Sequence, residues 1–423
     1  MATSYDAIVI GAGPAGSSAA ILLARAGRSV ALLEARPFPR RKVCGECIAA
    51  GNLPLLHALG VGEGLRRHAG PELRQVALWH GEERITAALP AAADGAAPWG
   101  RALGREHLDL LLLEQARASG TVVLQPCRAL AVREEVHAGR CEVHAGGNGV
   151  TLTLRAPVVI RAYGSWQPPP ADAAPWPRKR RGSDLLAFKA NFRDTHLDTG
   201  LLPVLAFGGG YGGMVVAGDG IATLACCIRR DRLAACRHEG DAAGARAGEV
   251  IEGLLRGQCR GVREALEGAS RVGPWLAAGP IQPGARLGDG RGNAFLIGNA
   301  AGEVHPIIGE GISMALQSAW LLCQELAGCA DAFRCDAHGE MHRLQIRRRY
   351  AARWRMHFSG RMRLAACFAH AAMRPGIAAP LLPLLRRTPA LLGIAARMSG
   401  KTRSAVKLPC EEAFPGFIQG SPS

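Results

Sequence analysis

Asp6–Glu34 reads DAIVIGAGPAGSSAAILLARAGRSVALLE, and this stretch decides the fold. Asp6–Ile10 is a short apolar strand, Pro14–Ala26 carries helical periodicity, and Ser29–Glu34 is a second apolar strand. Strand, tight turn, helix and strand within one short stretch begin a parallel sheet. Gly11, Gly13 and Gly16 fit G-x-G-x-x-G at the turn. The first glycine lets the backbone turn sharply, the second admits a pyrophosphate, and the third lets helix and strand pack closely. Phosphate would then lie at a helix N-terminus, where free N–H groups and the dipole favour negative charge. Glu34 ends the second strand, placed to accept from ribose hydroxyls. Gly208, Gly210 and Gly213 repeat the spacing, but MVVAGDGIATLACCI follows, two strands around Asp219–Gly220 with no helix. That second run predicts a bend in an antiparallel sheet, leaving one dinucleotide domain.

Working outward, Gly104–Gly120 predicts a helix, Thr121–Leu124 a strand, and Thr151–Ile160 a strand entering a buried sheet. Pro168–Arg181 is a Pro-rich, then basic, connector. Leu185–Arg193 and Gly213–Arg229 are strand-rich, and Gly311–Ala327 is a long helix. Beyond Asp331 the pattern is helical and basic, with interruptions expected at Pro375, Pro380, Pro383 and Pro389.

Ala294–Leu326, AFLIGNAAGEVHPIIGEGISMALQSAWLLCQEL, holds a second glycine-rich turn before a helix. Here the chain resembles the para-hydroxybenzoate-hydroxylase-like flavoproteins, which include aromatic-ring monooxygenases, geranylgeranyl reductases and flavin-dependent halogenases. Gly298, Pro306, Gly309 and Gly311 match that superfamily's pattern. Asn299 stands where the family has an aspartate that bonds the ribityl chain. Arg105, before a helix, matches an arginine that contacts the cofactor. Pro39–Gly45, PRRKVCG, resembles a segment of the geranylgeranyl-reductase branch. Val158–Gly164 resembles the strand that ends near the cofactor, but Arg161 and Tyr163 replace residues often acidic. The W-x-W-x-I-P segment of halogenases is absent from the sequence.

The resemblance implies an α/β fold: a Rossmann-type FAD-binding domain, an inserted mostly antiparallel substrate domain and a helical C-terminal segment. The expected boundaries are 1–70, 103–165 and 280–330 for FAD binding, 71–102 and 166–279 for substrate, and 331–423 for the basic segment. FAD is the implied cofactor and NAD(P)H a transient reductant. Gly11, Ala12, Gly13, Pro14, Ala15, Gly16, Glu34, Arg105, Gly164, Gly298, Asn299, Pro306, Gly309, Gly311 and Ile312 are the implied cofactor-binding residues. Candidates for catalysis are His305, Glu310, Cys47 and Glu46. Cys44 and Cys47 form C-x-x-C without a second ligand pair, so no metal is expected. The first expectation is a monooxygenase hydroxylating a hydrophobic aromatic or polyketide-like molecule. Alternatives are geranylgeranyl-reductase-like reduction of double bonds in an isoprenoid or lipid, or a non-catalytic flavin-bearing protein that docks on membranes.

Bulk properties bound the rest. The 423 residues are 48% hydrophobic, so a large core is expected, and the odd count of 13 cysteines suits reduced thiols in the cytoplasm. The net charge of +16 concentrates in Met341–Lys407, which holds 15 Lys/Arg and no Asp or Glu. No nucleic-acid module accompanies it. The expectation there is contact with an anionic membrane, peripheral to its inner face, or with an acidic carrier.

Overall fold

The computed structural model describes residues 3–92, 97–135, 139–147, 149–165, 180–238, 245–287 and 294–399. Strand β1 (Ala7–Ile10), helix α1 (Pro14–Arg25) and strand β2 (Val30–Leu33) form the opening βαβ unit. Helix α2 (Arg105–Ala118) returns the chain to β3 (Val122–Leu124), and β4 (Val158–Arg161) and β5 (Ala294–Leu296) arrive from distant sequence. The sheet is parallel in the order β5-β4-β1-β2-β3.

Every residue of β1 and β2 is buried, as a sheet covered on both faces demands. Ala7, Val9, Val30 and Leu32 pack with α1, α2 and helix α3 (Gly311–Ala327). Ile8, Ile10, Ala31 and Leu33 face an antiparallel layer formed by Arg128–Glu135, Arg140–Gly147 and Val150–Ala156. The sequence reading took Thr151–Ile160 as one strand. It is two, in different sheets, because Pro157 has no N–H to continue a ladder and the chain changes layers there.

An eight-stranded, largely antiparallel sheet forms the second half of the molecule. Its central strands are Leu185–Arg193, Ala222–Arg229, Gly210–Val216, Leu201–Phe207 and Gln75–His80. Gly208–Gly213 is the predicted bend: Gly209 has φ +77° and no helix follows. At the next turn, Asp219 and Gly220 both take positive φ. One face of this sheet packs on helices Ala247–Gln258 and Arg260–Ala265, which the antiparallel expectation for this region did not include. On the other face, Ala187, Ala206, Tyr211 and Cys227 pack with Ala369 and Ala372 of the long helix Ala337–Ala372.

Helix α4 (Ala337–Ala372) runs for 36 residues from the parallel sheet to the large one. Asp336 caps its N-terminus, accepting from the Gly339 N–H at 2.8 Å. Helices α5 (Pro375–Arg387) and α6 (Ala390–Met398) follow. Pro380 and Pro383 were expected to interrupt the chain but lie inside α5. Every residue of that helix is at least partly exposed, so the carbonyls that lose their bonds have access to other donors. The 168–179 part of the predicted connector and residues 400–423 lie outside the described residues.

Candidate functional site

The Gly11–Gly16 turn divides its labour by steric demand. Gly11 has φ +103°, and a Cβ there would meet the Ala162 carbonyl oxygen at 2.6 Å. At Gly16 a Cβ would strike the Gly11 carbonyl oxygen at 1.8 Å, so this glycine lets α1 close on β1. Gly13 differs. An added Cβ would come no nearer to the protein than 3.8 Å, at Nη2 of Arg105. Space is kept open beside Gly13, in front of the α1 N-terminus.

Charged groups surround that space. Arg105 donates twice to Asp109, at 2.7 Å each, which fixes its guanidinium. Burial works against its charge, but Asp109 outweighs burial and holds its pKa above the ordinary value. Lys42 feels burial first and then the Arg105 charge, and its pKa falls to about 8. Glu34 is buried behind the turn, accepting from the Ala12 N–H at 3.0 Å and pairing with Arg40 at 3.3 Å. The carboxylate is thereby aimed at the end of β1.

The second turn lies across from the first. Gly298 and Gly309 have φ +58° and +62°. A Cβ at Gly311, the first residue of α3, would have nothing within 4 Å, so a second open space faces a helix N-terminus. Asn299 Nδ2 donates to Ser165 Oγ at 2.8 Å, and Ser165 donates to Glu303 at 2.7 Å. Arg286 pairs with Glu303 at 2.9 Å and donates to the Asn299 carbonyl. Asn52 clamps α3 from the side, donating to Ser313 at 2.7 Å and accepting from Gln317 at 2.8 Å. Glu310 sits at the α3 N-cap and pairs with Arg361 at 3.4 Å.

One cavity of about 500 Å³ joins both open spaces. Gly13, Pro14, Ala15, Arg105, Gly164, Gly298, Asn299, Pro306, Gly309, Gly311 and Ile312 line its glycine-rich end. Gly11, Ala12, Gly16 and Glu34 stand behind that lining. The far end is apolar, built from Val204, Met214 and Leu78 of the large sheet and the inner faces of α5 and α6.

Of the catalytic candidates, Glu46 and Cys47 line the cavity, whereas His305 and Glu310 do not. Glu46 has φ +58° and is fully buried. Its carboxylate accepts from Lys189, from Thr223 at 2.6 Å and from the Arg105 N–H at 2.9 Å. Breaking one member of such a buried set leaves an uncompensated charge, which costs about 3–5 kcal/mol. This cluster ties the arm that carries Lys42 and Cys44 to the large sheet. The sequence reading missed Lys189 and Thr223. A signal existed: LLAFKANFR places one lysine inside an otherwise apolar strand. His305 lies within 3.1 Å of the Tyr211 hydroxyl, and burial, with His370 nearby, lowers its pKa to about 4. Burial also pushes the Cys227 thiol of the cavity wall up to about 12. Away from the cavity, Nε2 atoms of His338 and His342 approach to 3.1 Å near Asp331, a His-x3-His pair the sequence reading did not single out.

The sequence model of the FAD binding domain family matches residues 4–197. The match places an FAD binding domain over residues 4–197 of this chain. Menaquinone reductase of Mycobacterium tuberculosis is 34% identical over 132 residues, 31% of each chain. Digeranylgeranylglycerophospholipid reductase of Methanosphaerula palustris is 34% identical over 174 residues, 39% of each chain. The matched stretches thus span about a third of the length of these curated relatives. In structure, the myxobacterial chondrochloren halogenase CndH superposes over 100% of this chain and 98% of its own, with TM-score 0.73 and 21% identity. That likeness concerns the fold alone.

Proposed function

We propose that this protein is an FAD-dependent reductase of isolated carbon–carbon double bonds in an isoprenoid or similar long apolar substrate. The observation that carries this reading is the cavity itself. It runs from the Gly309–Ile312 turn into a chamber walled by leucine, valine, alanine and methionine. Such a wall recognises length and shape and offers few partners to a polar substrate. The sequence matches to a menaquinone reductase and to a digeranylgeranylglycerophospholipid reductase support the same class.

The residues present fit FAD. The backbone N–H groups of Gly13 and Ala15 would take the pyrophosphate, with Arg105 and Lys42 neutralising it. Glu34 takes the adenosine ribose, Asn299 the ribityl chain, and the N–H groups of Gly309–Ile312 the pyrimidine edge. Bound there, FAD supplies hydride chemistry, with NAD(P)H as the external reductant. The apolar strands orient the substrate and exclude water, while Glu46 fixes the arm that bears Lys42.

Hydroxylation, the first expectation from sequence, stays as the second reading. Tyr211 on the cavity wall, backed by His305, offers a hydrogen bond to a phenolic oxygen. Turnover of geranylgeranyl diphosphate, a menaquinone and a polyketide phenol with NADPH, with and without oxygen, separates the two. Oxygen-independent gain of two hydrogens per double bond supports reduction. Oxygen-dependent gain of one oxygen atom overturns it, and failure of NAD(P)H to reduce the flavin leaves the non-catalytic alternative.

A further inference from the structure

The roof of the cavity has two faces, and the outer one is as informative as the inner. Ala378, Leu382 and Leu385 of α5, with Leu391, Leu392 and Ala395 of α6, line the cavity. A roof helix on a water-facing protein should turn polar residues outward. These do not. Ile377, Ile394 and Met398 are 43%, 53% and 62% exposed and take no part in the cavity wall. With Leu381 and Leu384, which are exposed but also reach the cavity wall, they make five of the ten large apolar side chains left exposed among the described residues, all on two adjoining helices. That concentration marks a patch and not scatter.

The charges around the patch specify what covers it. Arg374 precedes α5, Arg387 ends it at the bend beside Arg386, which pairs with Glu83 at 3.2 Å, and Arg397 lies in the last turn of α6. No acidic residue occurs from Met341 to Lys407. Arginines at both ends and at the bend of an apolar pair match a layered partner, anionic at its surface and apolar just beneath. A protein groove would have to reproduce that layering. An anionic phospholipid bilayer has it everywhere. Neither helix alone is long and apolar enough to span a membrane; the pair together has the length and composition, but it bends by 116° and its inner face lines the cavity, so it suits lying in the interface.

We propose that α5 and α6 dock the protein on an anionic phospholipid bilayer and set the cavity mouth against it. An apolar chain then passes from the bilayer into the cavity beneath the roof helices without entering water. The nature of that cargo rests on the proposed reductase function; the docking itself rests on the outer face alone.

The test uses the full-length holoprotein and unilamellar vesicles of phosphatidylcholine, with or without one quarter phosphatidylglycerol. The wild type partitions onto the anionic vesicles about tenfold more than onto the neutral ones, and high salt weakens this without abolishing it. The combined variant Ile377→Glu, Ile394→Glu and Met398→Glu loses about tenfold of that partitioning. It keeps its FAD content and its rate of flavin reduction by NAD(P)H, which shows that it is folded. Equal partitioning of variant and wild type, or no preference for anionic vesicles, overturns the proposal. A second arm compares turnover of one isoprenoid substrate in vesicles and in detergent. The variant is slowed only in vesicles; equal slowing in both contradicts docking as its cause. If neither protein turns the substrate over, the reductase reading fails while the vesicle result still decides the docking.

Discussion

The two ends of the cavity are made in opposite ways. The nucleotide end is built from backbone, in turns where glycine leaves room: Gly13 and Gly311 each face open space. The apolar end is built from side chains contributed by Gln75–His80, Leu201–Phe207, Gly210–Val216 and the roof helices. At the first end a single atom decides whether a phosphate fits. At the second, volume and hydrophobicity are shared among many residues, so no single one is decisive. Recognition of the cofactor should therefore be brittle and recognition of the substrate tolerant.

The largest expected effects form a crossed pair. Gly13→Val leaves the fold intact, since the nearest protein atom to a Cβ there is 3.8 Å away, but the side chain takes the pyrophosphate's place. Losing two charge-assisted hydrogen bonds of about 1.5 kcal/mol each weakens FAD binding about a hundredfold. Val204→Trp fills the apolar end and raises KM for a long substrate about tenfold while FAD content stays unchanged. Flavin absorbance and steady-state kinetics on both variants check the pattern. Equal loss of FAD in both would erase the distinction between the ends.

A smaller effect sharpens the nucleotide end. Lys42 titrates at about 8, lowered by burial and by Arg105. The pyrophosphate favours the protonated ammonium, so FAD affinity is full below about pH 8 and falls as pH rises through that value. The slope is at most about tenfold per pH unit. Lys42→Met binds FAD more weakly at neutral pH and shows a flat profile in fluorescence titrations. An unchanged profile would place Lys42 away from the phosphates.

The same contrast explains what the sequence disclosed. Asp6–Glu34 was legible because a strand, a glycine turn and a helix N-terminus are contiguous, and their periodicities differ. Gly298–Gly311 was legible for the same reason. The Glu46–Lys189–Thr223 cluster was not, because Lys189 and Thr223 lie on neighbouring strands of the large sheet and Glu46 reaches them from a loop distant in sequence. Likewise Pro380 and Pro383 carry a local signal to break a helix, which α5 overrides. The apolar wall of the cavity was invisible because its residues look like any other core.

The central claim is that the Gly13 and Gly311 turns face one flavin, the second meeting its pyrimidine edge. The α3 N-terminus then stabilises the negative charge that reduction places there, by about 0.3–1 kcal/mol. Gly311→Val, at a position where an added Cβ has open space within 4 Å, would hold that backbone away from the ring. Potentiometric titration of wild type and variant is the direct measurement. The account predicts that Gly311→Val keeps FAD through Gly11–Gly16, while its midpoint potential falls by roughly 5–20 mV. A variant that binds FAD with an unchanged potential would mean that this turn does not touch the flavin, and would contradict the account.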